Sequence, residues 1–385
     1  MTVSALSDLR VVDLSVGEFE GMAGAFCAKM FADFGADVIK VEPPGGDPSR
    51  KLGPFPHDNP DIDTGGMFRY LNTNKRGVTV DLNSSEGRDR LQDLCATADV
   101  VVGAGLKPRI TYGAGSAPTL TYADLVVLNP GIVVVSVTPF GQTGPWRDYQ
   151  ATDLVMYGAS GQSYVNGSPD REPLKEPGDE SCFQAGACAF LGAMTALAHR
   201  DLTGEGQHVD LSMQEAAVSA FSPQVLGAMH RGAPEKRGST PLLPCKDGYV
   251  SLNVRHDATW EYMWLFFDDP DIAYNPRYAT TADRRRHAAE IEEMLRPHLA
   301  RHTMEDLFHG LAPLRLLIGM TLTVDRLLID PHLEERDFFV RSNQLKAGHE
   351  KGTMPGAPFK MSATPWTLRS EAPDLGEHDA ELQGD

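Results

Sequence analysis

Nucleotide-binding glycine signatures, paired cysteines and an excess of positive charge are all missing from this 385-residue chain. Neither GxGxxG nor GxxxxGK[ST] occurs, so dinucleotide binding and P-loop chemistry have no support. Five cysteines (Cys27, Cys95, Cys182, Cys188 and Cys245) are an odd number, widely scattered, with no CxxC pair and no histidine at zinc-ligand spacing. That argues against a disulfide framework and against a metal site. A formal net charge of -18 opposes a nucleic-acid backbone or an anionic membrane as partner. A small anionic ligand stays compatible, because local cations and backbone NH groups outweigh net charge lying beyond the Debye length. No apolar run is expected to reach the roughly 18 residues of a membrane span; LVVLNPGIVVVSV is interrupted by Asn129, Pro130 and Gly131. The N-terminal MTVSALSDLR lacks a basic region followed by an apolar core, so no secretory signal and a cytoplasmic location are expected.

What is present is the texture of an α/β protein. LRVVDLS is a short apolar run, AGAFCAKMFADFG has helical spacing ending at Gly35, and ADVIKVE is a second buried-strand pattern before the breaker PPGGDP. Strand, helix and strand at this length make a βαβ unit with parallel strands. GVTVDL, DVVVG and GIVVVSVTPFG continue the strands, with EGRDRLQDLCATA as an amphipathic helix between them. From about Cys182 to Arg200 a helix rich in Ala and Gly is expected, then the strand QHVDL, then a helix begun by Ser212 and Glu215 in capping-box spacing. The texture changes at Pro223. PLLPCKDGYVSLNV reads as a hairpin turning at Asp247-Gly248, two helical stretches follow, and the chain from about Pro331 is more extended. The expected segments are 1–222, 223–330 and 331–385.

Candidate binding residues lie at loop ends. VEPPGGDPSR follows a parallel strand, where open α/β sheets place ligands, and Lys40, Arg50 and Lys51 supply cations around Glu42 and Pro43. A plain surface turn explains the same residues equally well. Lys75 with Arg76, and Lys107 with Arg109, form two further cationic groups. Each by itself reads as a solvated surface charge; three together suit a phosphate-rich ligand. FGQTGP places Gly141 and Gln142 after a strand, either as a tight turn or as backbone NH donors for an oxyanion.

In combination these segments resemble the family III CoA-transferases, the CaiB/BaiF family. FADFGADVIKVEPPGGDPSR, NKRGVTVDL, VSVTPFGQTGP, ALAHRDLTGEGQHVDLSMQEAA, CKDGYVSLNV, DPHLEERDFF and SATPWTLRSEAPDLGEHDAEL carry the likeness in order along nearly the whole chain. The resemblance implies a large α/β domain with a parallel sheet, built from N- and C-terminal parts. A smaller α+β domain is inserted between them, and two chains thread through one another as interlocked rings. It implies coenzyme A or acyl-CoA as substrate, a carboxylate acceptor and no permanently bound cofactor. Lys75, Arg76, Lys107 and Lys40, with Glu42, Pro43, Gly141 and Gln142, become candidate CoA contacts. Family chemistry runs through an aspartate. It attacks an acyl-CoA thioester to give a mixed anhydride, takes CoA back as an aspartyl thioester, and passes CoA to the acceptor.

TGEGQ (Thr203–Gln207) and Gly186 set the register for that aspartate, and the matching position holds Cys182. Other departures accompany it: SVGEFEGMAGA is longer than the family pattern, GAGLKPRI replaces the usual segment after ADVVV, and Thr152-Asp153 stands where racemases of this fold place a His-Asp pair. Four readings follow. The chain is a non-catalytic subunit of a heteromer with an aspartate-bearing homologue, or a transferase using the displaced carboxylate of Glu180 or Asp179. Alternatively it is an acyl-cysteine hydrolase or acyltransferase working through Cys182, or an acyl-CoA isomerase or racemase. A buried, inert Cys182 is the plainest account of that residue.

Overall fold

The computed structural model describes residues 4–104, 121–232, 242–253, 257–341 and 353–381. Lys107 and Arg109 lie outside them. Contacts group the chain into two units, residues 1–237 with 337–385, and residues 238–336.

The first unit is built on a six-stranded sheet. Its elements are β1 (Arg10–Asp13), α1 (Glu20–Asp33), β2 (Asp37–Glu42), α2 (Gly66–Leu71), β3 (Arg76–Thr79), α3 (Ser85–Ala96), β4 (Val100–Ala104), α4 (Tyr122–Leu128), β5 (Val133–Thr138), α5 (Asp153–Ala159), α6 (Gln162–Val165), α7 (Glu180–Thr203), β6 (His208–Ser212), α8 (Met213–Ala220) and α9 (Ser222–Arg231). Strand order is β3-β2-β1-β4-β5-β6 and every pairing is parallel. β4 and β5 are buried along their whole length, as continuous valine runs in a sheet covered on both faces require. One face carries α1 and α7 over Val11, Val100 and Val135; the other carries α3 and α4 over Ile39, Val101 and Val134. The chain winds outward from β1 in both directions, so the carboxyl ends of β1 and β4 flank a topological switch point, the usual ligand position.

α1 and α7 meet through small residues. A Cβ on Gly186 would come within 2.5 Å of the Ala23 carbonyl oxygen, so glycine is what permits this approach. α7 also requires a correction to the expectation about apolar segments: its 24 residues are long and apolar enough to cross a membrane by length and composition. Its buried face, including Ala185, Ala189, Ala193 and Ala196, belongs instead to the core over the sheet.

The exposed edge of β3 is covered by the C-terminal segment, which answers the hazard of an unpaired strand. Gly77 N–H donates to His378 Nδ1 (3.1 Å), His378 N–H returns a bond to the Gly77 carbonyl (3.0 Å), and Thr79 N–H donates to Asp379 (2.8 Å). Arg369 donates to the Ala32 and Gly35 carbonyls at the end of α1.

The second unit contains β7 (Leu242–Pro244), β8 (Tyr249–Asn253), α10 (Asp257–Phe266), α11 (Pro270–Ala273), α12 (Thr281–Arg286), α13 (Ala288–Leu299), α14 (Met304–Leu311), β9 (Leu317–Met320), α15 (Val324–Leu327) and α16 (Pro331–Glu335). β7 and β8 form the expected hairpin, β9 adds a third antiparallel strand, and Trp264, Leu295 and Leu307 fill the core. A small hairpin, β10 (Phe339–Arg341) with β11 (Thr353–Pro355), follows in the chain.

Candidate functional site

Two polar clusters sit in the first unit, one at the start of α7 and one around the ends of β1 and β2. At the start of α7, Cys182 is buried and its thiol donates to the Phe19 carbonyl at 3.4 Å. Burial pushes that thiol well above the ordinary range, and the carboxylates of Asp179, Asp153 and Glu20 push it further. A thiolate is therefore disfavoured here, which removes the condition for nucleophilic use.

The carboxylates nearby differ in their engagement. Asp153, the first residue of α5, is buried; its Oδ1 accepts from Ser181 N–H (3.2 Å) and Ser181 Oγ–H (2.5 Å). Its Oδ2 lies 2.5 Å from the Lys175 ammonium. Lys175 also donates to the Glu176 and Gly178 carbonyls (2.7 and 2.5 Å) and stands over the Tyr157 ring, so it fastens the segment before α7 onto α5. The Tyr157 hydroxyl donates to Glu180 Oε2 at 2.6 Å and lies 3.4 Å from Glu176 Oε2. The contact between the two carboxyls raises Glu176, while hydrogen bonds from Glu176 and Tyr157 hold Glu180 low. The two acids are therefore pushed in opposite directions, Glu176 above and Glu180 below the ordinary carboxylate range. Asp179 is the N-cap residue of α7, yet its side chain makes no capping bond; burial and the nearby Asp153 raise its carboxyl.

The second cluster holds several residues that the sequence marks for CoA. Lys75 is buried with its ammonium on Asp13 Oδ2 (2.8 Å), the Ala25 carbonyl (2.9 Å) and Asn72 Oδ1 (2.9 Å). Three acceptors use all three donors of a lysine. Lys40, also buried, pairs with Asp47 at 2.8 Å and donates to the Ser15 carbonyl. Glu42 takes a two-pronged contact from Arg50 (2.7 Å to each oxygen), whose remaining nitrogen reaches Asp63. Burial brings the Lys75 ammonium down to about 8 against the opposing pull of Asp13. Burial also works against Lys40, but Asp13, Asp47 and Glu42 outweigh it and hold that lysine above its ordinary value. Burial raises Asp13, and the two ammoniums reverse this to leave it low.

The loops are consequently braced from inside, and neither Lys40 nor Lys75 offers an ammonium to solvent in this structure. Arg76 stands at the amino ends of β2 and β3, away from the switch point, in a paired contact with Asp37 (2.9 and 2.6 Å). Pro43 follows buried Glu42 in the turn closed by Gly46 N–H on the Pro43 carbonyl (2.8 Å). Gly141 adopts φ +82°, and the N–H of Gln142 is shared between both carboxylate oxygens of Asp210 at 3.1 Å. That N–H is occupied within the protein. Lys175 and Asp13 carry no local sequence signal for these roles, because the ion-pair partners Asp153 and Lys75 lie outside their local segments; Asp153 stands out in the sequence only for the histidine missing beside it.

The comparisons agree with this architecture. The family described as CoA-transferase family III matches residues 6–379. The succinyl-CoA:(R)-benzylsuccinate CoA-transferase subunit BbsE of Thauera aromatica is 32% identical, covering 98% of this chain and 93% of the relative. The succinate–glutarate CoA-transferase of Agrobacterium fabrum is 31% identical over 98% of this chain and 94% of its own length. Among solved structures, a CaiB/BaiF family protein from Brucella suis superposes with a TM-score of 0.83 at 26% identity, covering 99% of this chain and 100% of that one. A match spanning both ends of the chain, joined to the parallel sheet and its α1–α7 layer, places this protein in CoA-transferase family III, a family of enzymes.

Proposed function

We propose that this chain is the non-catalytic subunit of an acyl-CoA:carboxylate CoA-transferase, working beside an aspartate-bearing homologue. The observation that supports the reading is at Cys182, which we match to the family aspartate: it is a buried thiol, held protonated and turned to the Phe19 carbonyl. Asp153 is committed to Ser181 and Lys175, and Glu180 to Tyr157. In the partner, an aspartate carboxylate attacks the thioester carbonyl and releases CoA thiolate. The thiolate then attacks the mixed anhydride at the aspartyl carbonyl, freeing the first acid and leaving the aspartyl thioester. The acceptor carboxylate repeats the exchange and departs as its own CoA thioester.

The same proposal includes an interlocked dimer, the division at 223 and 331, a cytoplasmic location and CoA contacts from Lys107 and the backbone of residues 42–46. The names of several relatives include succinyl-CoA, which makes a dicarboxylic acid and its CoA thioester the first substrates to try.

One observation favours a second reading. Asp179 is half-buried, raised and free of a capping bond beside Cys182, so it is the carboxylate best placed to act as a displaced nucleophile. Incubation of the isolated chain with succinyl-CoA, borohydride or hydroxylamine trapping and peptide mass analysis separate the two. No adduct is expected, with transfer appearing when the aspartate-bearing homologue is co-produced. An adduct on Asp179 or Glu180 would overturn the subunit reading.

A further inference from the structure

The loop from β5 to α5 carries three aromatic rings in mutual contact: Phe140 meets Trp146 at 5.8 Å and Tyr149 at 6.4 Å, both edge-on, while Trp146 and Tyr149 lie nearly parallel at 6.5 Å. Trp146 is 47% exposed and Tyr149 60% exposed. Phe140 is the root of the group, packed on the core that also contains Cys182 and Met156. A turn closed by Tyr149 N–H on the Trp146 carbonyl (2.8 Å) holds the other two together.

Position makes this more than scattered surface apolarity. The loop leaves the carboxyl end of β5 and ends at Asp153, the buried carboxylate bonded to the first turn of α7. Asp153 lies four positions after Tyr149, which limits their Cα separation to about 14 Å even in extended chain. Large rings at a wet surface are costly unless they meet a partner, and such rings are suited to edge-on or offset contact with another aromatic group. Arg147, next to Trp146, is exposed, and its 3.4 Å pair with Asp148 is of the weak surface kind, leaving its guanidinium accessible to a carboxylate.

We propose that Phe140, Trp146 and Tyr149 form a platform for the aryl group of an aromatic carboxylic acid that is the acceptor or the acyl part of the CoA thioester. This rests on the CoA-transfer reading and narrows its substrate class. Arg147 meets the acid's carboxylate, and the rings select for aryl over alkyl chains.

The test uses the full chain and titrates it with benzylsuccinate, succinate and CoA, read by tryptophan fluorescence and by saturation transfer to the benzyl protons. Benzylsuccinate is expected to bind about tenfold more tightly than succinate, the scale of one good aromatic contact. Trp146→Leu and Tyr149→Leu should reduce that ratio towards one, and Trp146→Phe should keep part of it. Equal affinity for the two acids, or binding of neither, overturns the proposal. So does CoA occupying the platform with no benzyl contact, since the rings would then serve the adenine. A smaller assembly in sedimentation of Trp146→Leu would also overturn it by assigning the rings to a subunit interface. None of these outcomes bears on the adduct experiment, so the platform can fail while the subunit assignment stands.

Discussion

Cys182 shows how much a single position depends on what surrounds it. A carboxylate introduced there places a new negative charge in a buried site already facing Asp153, Asp179 and Glu20, where the thiol now donates to the Phe19 carbonyl oxygen. Neither the burial nor the carbonyl stabilises an anion. Cys182→Asp is therefore expected to cost about 2–4 kcal/mol of stability at neutral pH and to confer no transferase activity on the isolated chain. Urea denaturation and a CoA-transfer assay check both parts, and activity at native stability would show that the pocket remains fit for an aspartate. The thiol itself should be inert. With iodoacetamide on the folded protein, exposed Cys188 and half-exposed Cys245 are expected to be alkylated well before Cys182; early labelling of Cys182 in the peptide map would contradict its burial. The matching of Cys182 to the family aspartate rests on the sequence alone, through TGEGQ and Gly186. The surroundings of Cys182 were not legible there. Asp153 and Ser181 are 28 residues apart, and no local pattern announces such a bond.

Elements of the parallel sheet were readable as apolar runs between helical spacings, and the structure has them in that order. The lysines were not readable in the same way. Lys75 follows a loop and precedes a strand, as a ligand-binding cation would, but its partner Asp13 is 62 residues away at the end of β1. The contact ties the entry to β3 to the end of β1 and to α1, and it leaves a signature in pH. The folded-state value of about 8 lies below the ordinary lysine value of 10.5, so between those values the unfolded chain holds a proton that the folded chain has lost. Stability from this group must rise with pH across that window. Against Lys75→Met, the wild-type urea midpoint is expected to gain as pH goes from 8 to 10; a flat difference would mean the lysine is not held in this low-proton-affinity site. The α1–α7 layer gives a second test. A methyl on Gly186 meets the Ala23 carbonyl, and overpacking of this kind costs typically 1–3 kcal/mol. Gly186→Ala should lower the thermal midpoint by several degrees, whereas Gly178→Ala, where a Cβ meets nothing within 4 Å and only the positive φ of 78° resists, should cost less.

At the scale of the whole molecule the first unit leaves large apolar side chains in the open. α9 has no buried residue and exposes Leu226 and Met229; Leu154 and Leu191 on α5 and α7 are exposed as well. Exposed apolar surface of this kind suits the partner subunit of our proposal, and the interlocked arrangement proposed with it restricts how that partner can be acquired. Threaded rings cannot separate without opening one of them, so the assembly must stay intact on dilution until it unfolds. By the same logic, two subunits folded apart cannot thread together afterwards. Co-producing this chain with an aspartate-bearing homologue is expected to yield a heteromer that sediments unchanged from micromolar to nanomolar concentration and transfers CoA. Mixing the two after separate folding is expected to yield neither, until both are unfolded and refolded together. A folded monomer at low concentration, or activity appearing promptly on mixing, would rule out threading and leave an ordinary surface contact in its place. The sequence could suggest this only through family likeness, since threading is a property of two chains, whereas apolar periodicity reports what one chain buries within itself.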